Sequence, residues 1–310
     1  MESVWQARPL LLIVLGLTMT DLEDVQKLVR DQRNKRFAQT TGLYAFIILG
    51  TVTMLAPFLW MISTSLKLPG DVFSYQKPWW YDWVPTSFVW QNYVKAFHVV
   101  PFARFYLNSI LVVVLTTIGQ VTTSAFAAYA FARLRFPGRD RLFFAYLATM
   151  MIPGAVTMIP VFILLEHLGW IDTYKAVILP GIFTAYGTFM LRQFFLTLPK
   201  DLEDAAKIDG CSYFGIFWRI LLPLSKPALA TLTTFTFMGS WMNFMWPLIV
   251  LNSHEKFTLP VGLAYFQSLH HTDWTLLMAG SVMMILPILL VFIFNQRYFV
   301  EGIKLSGIKG

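Results

Sequence analysis

The chain of 310 residues is 56% hydrophobic and only 13% charged, with a mean hydropathy of +0.59. Soluble domains carry about 25% charged residues, so this composition excludes an ordinary soluble protein and favours an integral membrane protein. The net charge of +7 does not require nucleic acid as a partner, because basic residues of membrane proteins gather beside the anionic cytoplasmic leaflet.

Six stretches are long and apolar enough to cross the hydrocarbon as helices, which takes about 20 residues each. They are 42–66, 105–132, 142–165, 176–199, 227–254 and 274–296. We therefore predict an all-α polytopic membrane protein with one membrane domain over residues 42–310 and a cytoplasmic N-terminal segment over 1–41. The apolar run 9–19 is too short to span, so it is an interfacial or frayed segment, or the natural start is Met19. A cleaved signal peptide is the other alternative, but cleavage would leave the basic run 27–36 outside, against the charge distribution.

The distribution of Lys and Arg predicts the orientation of these spans. With the N-terminus inside, the inner segments hold seventeen Lys and Arg residues and the outer segments hold six. Positive residues favour the cytoplasmic side, so both termini are predicted to be cytoplasmic. The only cysteine, Cys211, then faces the cytoplasm, and no intrachain disulfide can form.

The segment between the fourth and fifth spans, residues 200–227, is polar and structured rather than a short connection. Acidic residues follow Asp201 in a first helical turn, where the helix dipole favours them. Gly210 supplies a stop of the C′ type, and Ser212 can cap a second helix. The sequence therefore predicts a helix-turn-helix at the membrane surface, suited to docking in a groove of another protein.

This loop carries a family resemblance. The pattern E-A-A-x3-G-x9-I-x-L-P is matched by Asp204, Ala205, Ala206, Gly210, Ile220, Leu222 and Pro223, with Asp in place of the usual Glu. The chain thus resembles the permeases of ABC importers. The flanking stretches "LPKDLEDAAKIDG", "FWRILLPLSKPALAT" and "QRYFVEGIKLSGIKG", with "AYAFARLRFPGRDRLF" and "NSI" at 108–110, resemble the smaller six-helix subunit of the maltose-type carbohydrate permeases.

The resemblance implies a set of partners and a location in a bacterial or archaeal cell (inner) membrane. The chain would pair with a second, homologous permease subunit, and each would present its loop to one of two cytoplasmic ATPase subunits, which use ATP and Mg. A solute-binding protein would deliver sugar from outside, and the outer loop 251–274 would contact it. The resemblance assigns the ATPase contact to the coupling loop, in which Glu203 and Asp209 join the motif residues named above. The chain contains no G-x4-G-K-[ST] phosphate loop, so we expect no cofactor and no enzymatic activity in it.

Two uncharged polar stripes indicate a path for the solute. Thr116, Gln120 and Thr123 recur at helical spacing in the second span, and Thr233, Thr236, Ser240 and Asn243 do so in the fifth. We select Gln120, Ser240 and Asn243 as cavity-lining candidates, with Trp241 and Phe244 as rings that stack on sugar. Hydrogen bonding between helices is the alternative role for such residues.

Other functions remain open on the sequence alone. The same machinery could carry a glycerol-phosphate-type or other polyol solute, although basic residues, which would suit an anion, are absent from the middle of the spans. A secondary carrier would need acidic or His residues in mid-span for ion coupling, and none is present there. A membrane enzyme would need a nucleophile or metal cluster; we predict no catalytic residue and no metal site.

Overall fold

The structure is a computed structural model that describes residues 19–73, 78–85, 87–267 and 272–307. Residues 1–18, which hold most of the apolar run 9–19, lie outside the described part. Nearly all described residues are helical, which satisfies backbone polar groups within the membrane. The α-helices are α1 Met19–Ser65, α2 Gln91–Val99, α3 Phe102–Arg133, α4 Arg139–Ala148, α5 Gly154–His167, α6 Tyr174–Ile178, α7 Ala185–Thr197, α8 Asp201–Ile208, α9 Tyr213–Ile216, α10 Leu222–Leu224, α11 Lys226–Trp241, α12 Met245–Val250, α13 Leu259–Leu263 and α14 Trp274–Gly307.

Short irregular helices complete the described chain. 3-10 helices lie at Pro69–Asp71, Trp79–Asp82, Thr149–Met151, Leu179–Ile182, His254–Lys256 and Ala264–Phe266, and a π-helix, Phe217–Leu221, joins α9 to α10. The chain divides into two units, residues 1–60 and 61–310. In the first unit, the described residues 19–60 form most of helix α1. The clusters, polar contacts and cavity described below belong to the second.

Four helical segments are long and apolar enough to cross a membrane, and they are Arg30–Ser65, Phe102–Arg133, Tyr174–Thr197 and Trp274–Tyr298. The third of these comprises α6, the 3-10 helix Leu179–Ile182 and α7. Two further pairs of helices meet the same criterion only when each bent pair is taken as one span, with bends of 99° and 79°. The described residues therefore hold four to six candidate membrane helices. The prediction of a helical, polytopic membrane protein is confirmed at this level.

The predicted third span is broken in the middle. The 3-10 helix Thr149–Met151, which ends the first half of this span, is followed by Ile152 in extended conformation and then by α5, at the 99° bend. Pro153 explains the break, because proline lacks an N–H and disfavours a helical conformation in the residue before it.

The predicted fifth span, 227–254, is wrong as a single helix. α11 ends at Trp241, and α12 begins at Met245 after a three-residue interruption. The side-chain Oδ1 of Asn243 accepts a hydrogen bond from the N–H of Trp246 at 3.4 Å, at the start of α12. Pro247 lies in the first turn of α12, where its missing N–H needs no partner within the helix.

α3 is the central helix of the second unit and packs against both α7 and α11. Two buried apolar clusters lie along it. One contains Phe102, Phe105 and Trp241, and the other contains Phe195 and Phe217. The second cluster attaches the helices that follow Leu198 to the membrane helices, and thereby positions the predicted coupling loop.

Candidate functional site

The segment 201–224 forms two helices with a tight turn between them. α8 begins at Asp201, as the acidic first turn predicts, and ends before Gly210, whose φ of +79° lies in the left-handed region that favours glycine. The Oγ of Ser212 accepts a hydrogen bond from the N–H of Gly215 at 3.2 Å and so caps α9. Local sequence therefore determines where both helices begin and end.

One face of these helices is buried against the membrane helices. Ala206 is 7% exposed, and Ile216, Phe217 and Leu221 are each at most 2% exposed. They join the same apolar cluster as Phe195 of α7. The small Ala206 side chain therefore allows close approach of α8 to its neighbours instead of facing solvent.

A buried ion pair attaches α8 to the end of α3. The Nε of Arg133 lies 2.8 Å from Oε1 of Glu203, and the two side chains are 3% and 8% exposed. Their contact lacks the alignment of a hydrogen bond. The Nη2 of Arg133 also donates to the backbone oxygens of Phe195 at 2.6 Å and Leu198 at 2.7 Å. Those carbonyls lie at the C-terminus of α7, where a cation is favoured.

A second polar contact connects α3 with the other half of the loop. The hydroxyl of Tyr129 donates to the backbone oxygen of Tyr213 at 3.0 Å. α3 thus holds α8 through Arg133 and the start of α9 through Tyr129, so a displacement of either loop helix acts on α3 directly.

The loop also exposes large apolar side chains, of which Phe214 and Trp218 have one side against Phe126 of α3. Ile208 is 87% exposed, Tyr213 and Phe214 are each 62% exposed, and Trp218 is 49% exposed. Large apolar side chains grouped in this way mark an interaction surface.

The remaining loop residues selected from the sequence have different surroundings. Asp204 accepts a hydrogen bond from Lys207 at 3.0 Å on the surface, and this bond raises the pKa of Lys207. Ala205, Asp209 and Pro223 are exposed, and Ile220 and Leu222 are half-buried.

A cavity of about 730 Å³ lies among α3, α5, α11 and the segment that begins with α6. Its wall brings together three of the five candidates: Gln120, Ser240 and Asn243. The other lining residues are Thr116, Gly154, Ala155, Thr157, Met158, Val161, Val177, Pro180, Gly181, Tyr186, Phe235, Thr236, Gly239, Met245 and Trp246. Residues of both polar stripes therefore face one space, whereas Thr123 and Thr233 do not line it.

The two predicted stacking rings are not brought to this cavity. Trp241 is 1% exposed, and its Nε1 donates to the backbone oxygen of Met284 at 2.9 Å. Phe244 is outside the lining set, in the interruption between α11 and α12. Tyr186, Phe235 and Trp246 supply the aromatic wall instead. The Nε1 of Trp246 donates to the backbone oxygen of Ala176 at 2.9 Å and so restrains the ring.

The loop after α12, predicted to lie outside, is bound to the turn before α6. Asp172, with a φ of +61°, accepts hydrogen bonds from the N–H groups of Asn252 and Ser253 at 2.9 Å each, and from Lys256 Nζ at 2.7 Å. Burial raises the pKa of Asp172, but the hydrogen bonds from Lys256, Ser253 and Asn252 lower it more, so its pKa lies well below the ordinary value.

The "NSI" stretch of α3 holds the same loop from its other side. The Nδ2 of Asn108 donates to the backbone oxygens of Glu255 at 2.9 Å and Phe257 at 3.0 Å, and the Oγ of Ser109 accepts from the N–H of Leu259 at 2.7 Å. The sequence alone gives these two side chains no role. Two adjacent polar residues between the apolar stretches 105–107 and 110–115 were the available signal.

Comparison with known proteins identifies what the chain is similar to. Residues 120–304 match the family model described as "Binding-protein-dependent transport system inner membrane component". The chain is 44% identical over 203 residues to the arabinooligosaccharides transport system permease protein AraQ of Halalkalibacterium halodurans, covering 66% of this chain and 73% of that protein. It is 32% identical to the sn-glycerol-3-phosphate transport system permease protein UgpE of Yersinia pestis, covering 84% and 94%.

A solved structure has a similar fold. The chain superposes with a TM-score of 0.75 on a chain of a bacterial ABC transporter involved in the import of the acidic polysaccharide alginate, covering 85% of this chain and 98% of that one. The two sequences are 25% identical.

Proposed function

The chain belongs to the family of inner membrane components of binding-protein-dependent transport systems, and on that premise we propose that it is a sugar-specific permease subunit. In this role it forms one half of the membrane channel of an ABC importer and moves an oligosaccharide or disaccharide into the cytoplasm by alternating access. Its similarity to the arabinooligosaccharide permease supports a sugar as the solute. The termini and the loop 200–227 face the cytoplasm.

The observation that carries the proposal is the two-faced loop at 201–224. α8 is tied to α3 and α7 through Arg133 and the apolar cluster, while Ile208 at its end and Tyr213 after the turn are exposed. A rigid element with an exposed apolar surface suits docking into a groove of a separate ATPase. ATP and Mg are used by two such ATPase subunits, while this chain contributes the mechanical link and binds no cofactor.

The remaining partners follow from the same proposal. A second, homologous permease subunit completes the channel, and an extracytoplasmic solute-binding protein docks on the outer side. The loop 251–257, held by Asp172 and Asn108, offers that protein a preformed surface. The assembly lies in the cell's inner membrane.

A glycerol-phosphate solute is the second candidate, favoured by the 32% identity to UgpE. It requires cationic groups along the path, and the described residues around the cavity include no Lys, Arg or His. The sugar is therefore the better-supported solute.

Uptake into proteoliposomes tests the function. We expect uptake of the oligosaccharide only when both permease subunits, the ATPase and ATP are present. Ile208→Ser is expected to reduce both ATPase co-purification and uptake, because it removes an apolar contact. Trp79→Ser is the matched control, since Trp79 is 78% exposed and lies before α2, at a predicted outer position. Uptake driven by an ion gradient in the absence of the ATPase would overturn the proposal.

A further inference from the structure

The turn between α3 and α4 carries a cluster of arginines. Residues 134–138 connect the two helices, and Gly138, with a φ of +76°, permits the reversal of the chain. A surface groove of about 600 Å³ at this turn is lined by Arg135, Phe136, Gly138, Arg139, Asp140 and Arg141. Three of these lining residues are arginines, and Asp140 is the only one of them with a carboxylate.

The carboxylate of the groove is already paired. Asp140 accepts hydrogen bonds from the Nε of Arg139 at 2.9 Å and from its Nη2 at 3.3 Å, and the Nη2 of Arg192 lies 4.0 Å away. Arg192 is itself held in place, because its guanidinium lies 4.1 Å from the centroid of the Phe143 ring and its Nε donates to the backbone oxygen of Phe131 at 3.2 Å. Asp140 is thus occupied by arginines of α4 and α7 and does not neutralise the rest of the groove.

Two arginines of the groove have no protein acceptor. Arg135 and Arg141 are exposed, and neither guanidinium forms a hydrogen bond or an ion pair with another described residue. They lie on either side of Gly138 in the sequence and line the same groove. A guanidinium presents its N–H donors in a planar fork that binds phosphate oxygens in pairs, so two unpaired arginines in one groove suit a phosphate group.

Apolar side chains beside the arginines indicate the kind of phosphate. The segment Arg139–Met151 is the first half of a candidate membrane span, so the groove lies at the end of that span. Leu142 is 57% exposed and Phe144 is 69% exposed, directly after Arg141. In a phospholipid the phosphate lies at the membrane surface and the acyl chains lie beneath it. Arginines and exposed apolar side chains in this order therefore match a lipid rather than a soluble phosphate.

The charge of the groove favours an anionic lipid over a zwitterionic one. A phosphatidylcholine headgroup brings its own ammonium group close to the phosphate, and the guanidinium groups repel it. A phosphatidylglycerol headgroup has no such cation. Each basic residue beside an anionic lipid contributes a factor of about 5 in affinity, so the two unpaired arginines together account for a preference of about 25-fold.

We propose that the groove at residues 135–141 binds the headgroup of one anionic phospholipid of the cytoplasmic leaflet. Arg135 and Arg141 contact its phosphate, and Leu142 and Phe144 contact its acyl chains. The cytoplasmic location rests on the proposed function, whereas the binding itself rests on the groove. A general attraction of basic residues to the leaflet would not select this groove over the other basic segments of the chain.

Quenching of a fluorophore beside the groove tests the binding. Ala145→Cys places a thiol on an exposed position one helical turn after Arg141, in a full-length chain whose native Cys211 is replaced by Ser. The thiol is labelled with bimane, and the chain is placed in phosphatidylcholine bilayers that contain nitroxide-labelled phosphatidylglycerol or nitroxide-labelled phosphatidylcholine. Phosphatidylglycerol should reach half-maximal quenching at a fraction about 25-fold lower. Equal quenching by the two lipids would overturn the proposal.

Substitution of the two unpaired arginines assigns the preference to the groove. Arg135→Gln combined with Arg141→Gln should abolish the preference for phosphatidylglycerol, and each single substitution should lower it about 5-fold. The melting temperature should stay unchanged, because neither side chain has a partner among the described residues. Arg135→Lys combined with Arg141→Lys keeps the charges but loses the paired donors, so an intermediate preference is expected. A wild-type preference in the double glutamine variant would overturn the site.

Arg30→Gln combined with Arg33→Gln is the matched control. Both arginines are exposed on α1, in the other unit of the chain, and their removal changes the net charge by the same amount. The preference measured at position 145 should stay within about 2-fold of the wild type, because a headgroup in the groove lies within hydrogen-bond distance only of the local arginines. An equal loss in this control would show general electrostatic attraction and would overturn the groove as a site.

The assembled transporter distinguishes a lipid from a protein in the groove. Phosphatidylglycerol should quench the label equally with and without the ATPase subunits. Loss of quenching on assembly would show that an ATPase surface covers the groove, and would overturn the proposal. The quenching requires neither ATP nor sugar, so failure of the lipid site leaves ATP-driven import intact. Absence of ATP-driven uptake in proteoliposomes, in contrast, would overturn the proposed function and leave the quenching result unchanged.

Discussion

Removing one charge of the buried pair between Arg133 and Glu203 should loosen the coupling loop. Glu203→Gln leaves the guanidinium buried, with its bonds to Phe195 and Leu198 but without a counter-charge. Removing one partner of a buried ion pair lowers the free energy of unfolding by about 3–5 kcal/mol. Glu203→Gln should lie near the lower end, at about 3 kcal/mol, because Arg133 keeps its hydrogen bonds to the two backbone carbonyls. Arg133→Met should cost more, because it also removes both carbonyl bonds.

A double-mutant cycle measures this coupling. Chemical unfolding of the detergent-solubilised chain gives the free energy of unfolding for Arg133→Met, for Glu203→Met and for the two substitutions combined. The double variant should be more stable than the sum of the two single losses predicts, because it leaves no unpaired buried charge. Asp204→Asn is the control, since the pair of Asp204 and Lys207 is exposed and should contribute little.

The functional measurement is the amount of sugar imported per ATP hydrolysed. Glu203→Gln should lower this ratio, because the loop then moves without carrying α3 and α7 with it. The reasoning that Arg133 transmits force between the loop and the membrane helices makes two refutable claims. It would be refuted if the stability losses of the two single variants added up to that of the double variant and the amount of sugar imported per ATP were unchanged.

Two predictions concern the loop predicted to lie outside. Asp172→Asn keeps a residue that tolerates the positive φ but loses the charge, so it should destabilise the chain at neutral pH. Because the folded pKa of Asp172 lies below its ordinary value of 3.8, its contribution is complete above that pH and disappears as the pH falls toward the folded pKa. The stability difference between the two proteins should therefore shrink below pH 3.8, and a difference independent of pH would contradict the ion-pair explanation. Asn108→Leu removes two hydrogen bonds to the loop and should lower the free energy of unfolding by about 1–3 kcal/mol. Amide hydrogen exchange at residues 255–257 should become faster. Unchanged exchange there would contradict the anchoring role of Asn108.

Features with local physical causes could be predicted from the sequence. Asp201, Gly210 and Ser212 determine helix ends through nearest neighbours, and the structure places the start of α8, the left-handed turn and the cap of α9 at them. The apolar stretches likewise identify the membrane helices, because spanning length and hydropathy are properties of single segments.

Features that depend on tertiary packing could not be predicted. Arg133 and Glu203 are 70 positions apart, so no local pattern indicates that they form a buried pair. Trp241 follows Ser240 by one residue, which rotates its side chain by about 100° away from the polar stripe. The interruption at Met242–Phe244 contains no Gly or Pro, so only Pro247 signalled it.

Cross-linking from the exposed tip of the loop tests the central claim most directly. Ile208→Cys, in a chain whose native Cys211 is replaced by Ser, places a thiol on a side chain that is 87% exposed. In the assembled transporter this thiol should form a cross-link to the ATPase subunit, and ATP should change the yield. A transporter that hydrolyses ATP and imports sugar while giving no such cross-link would contradict the account.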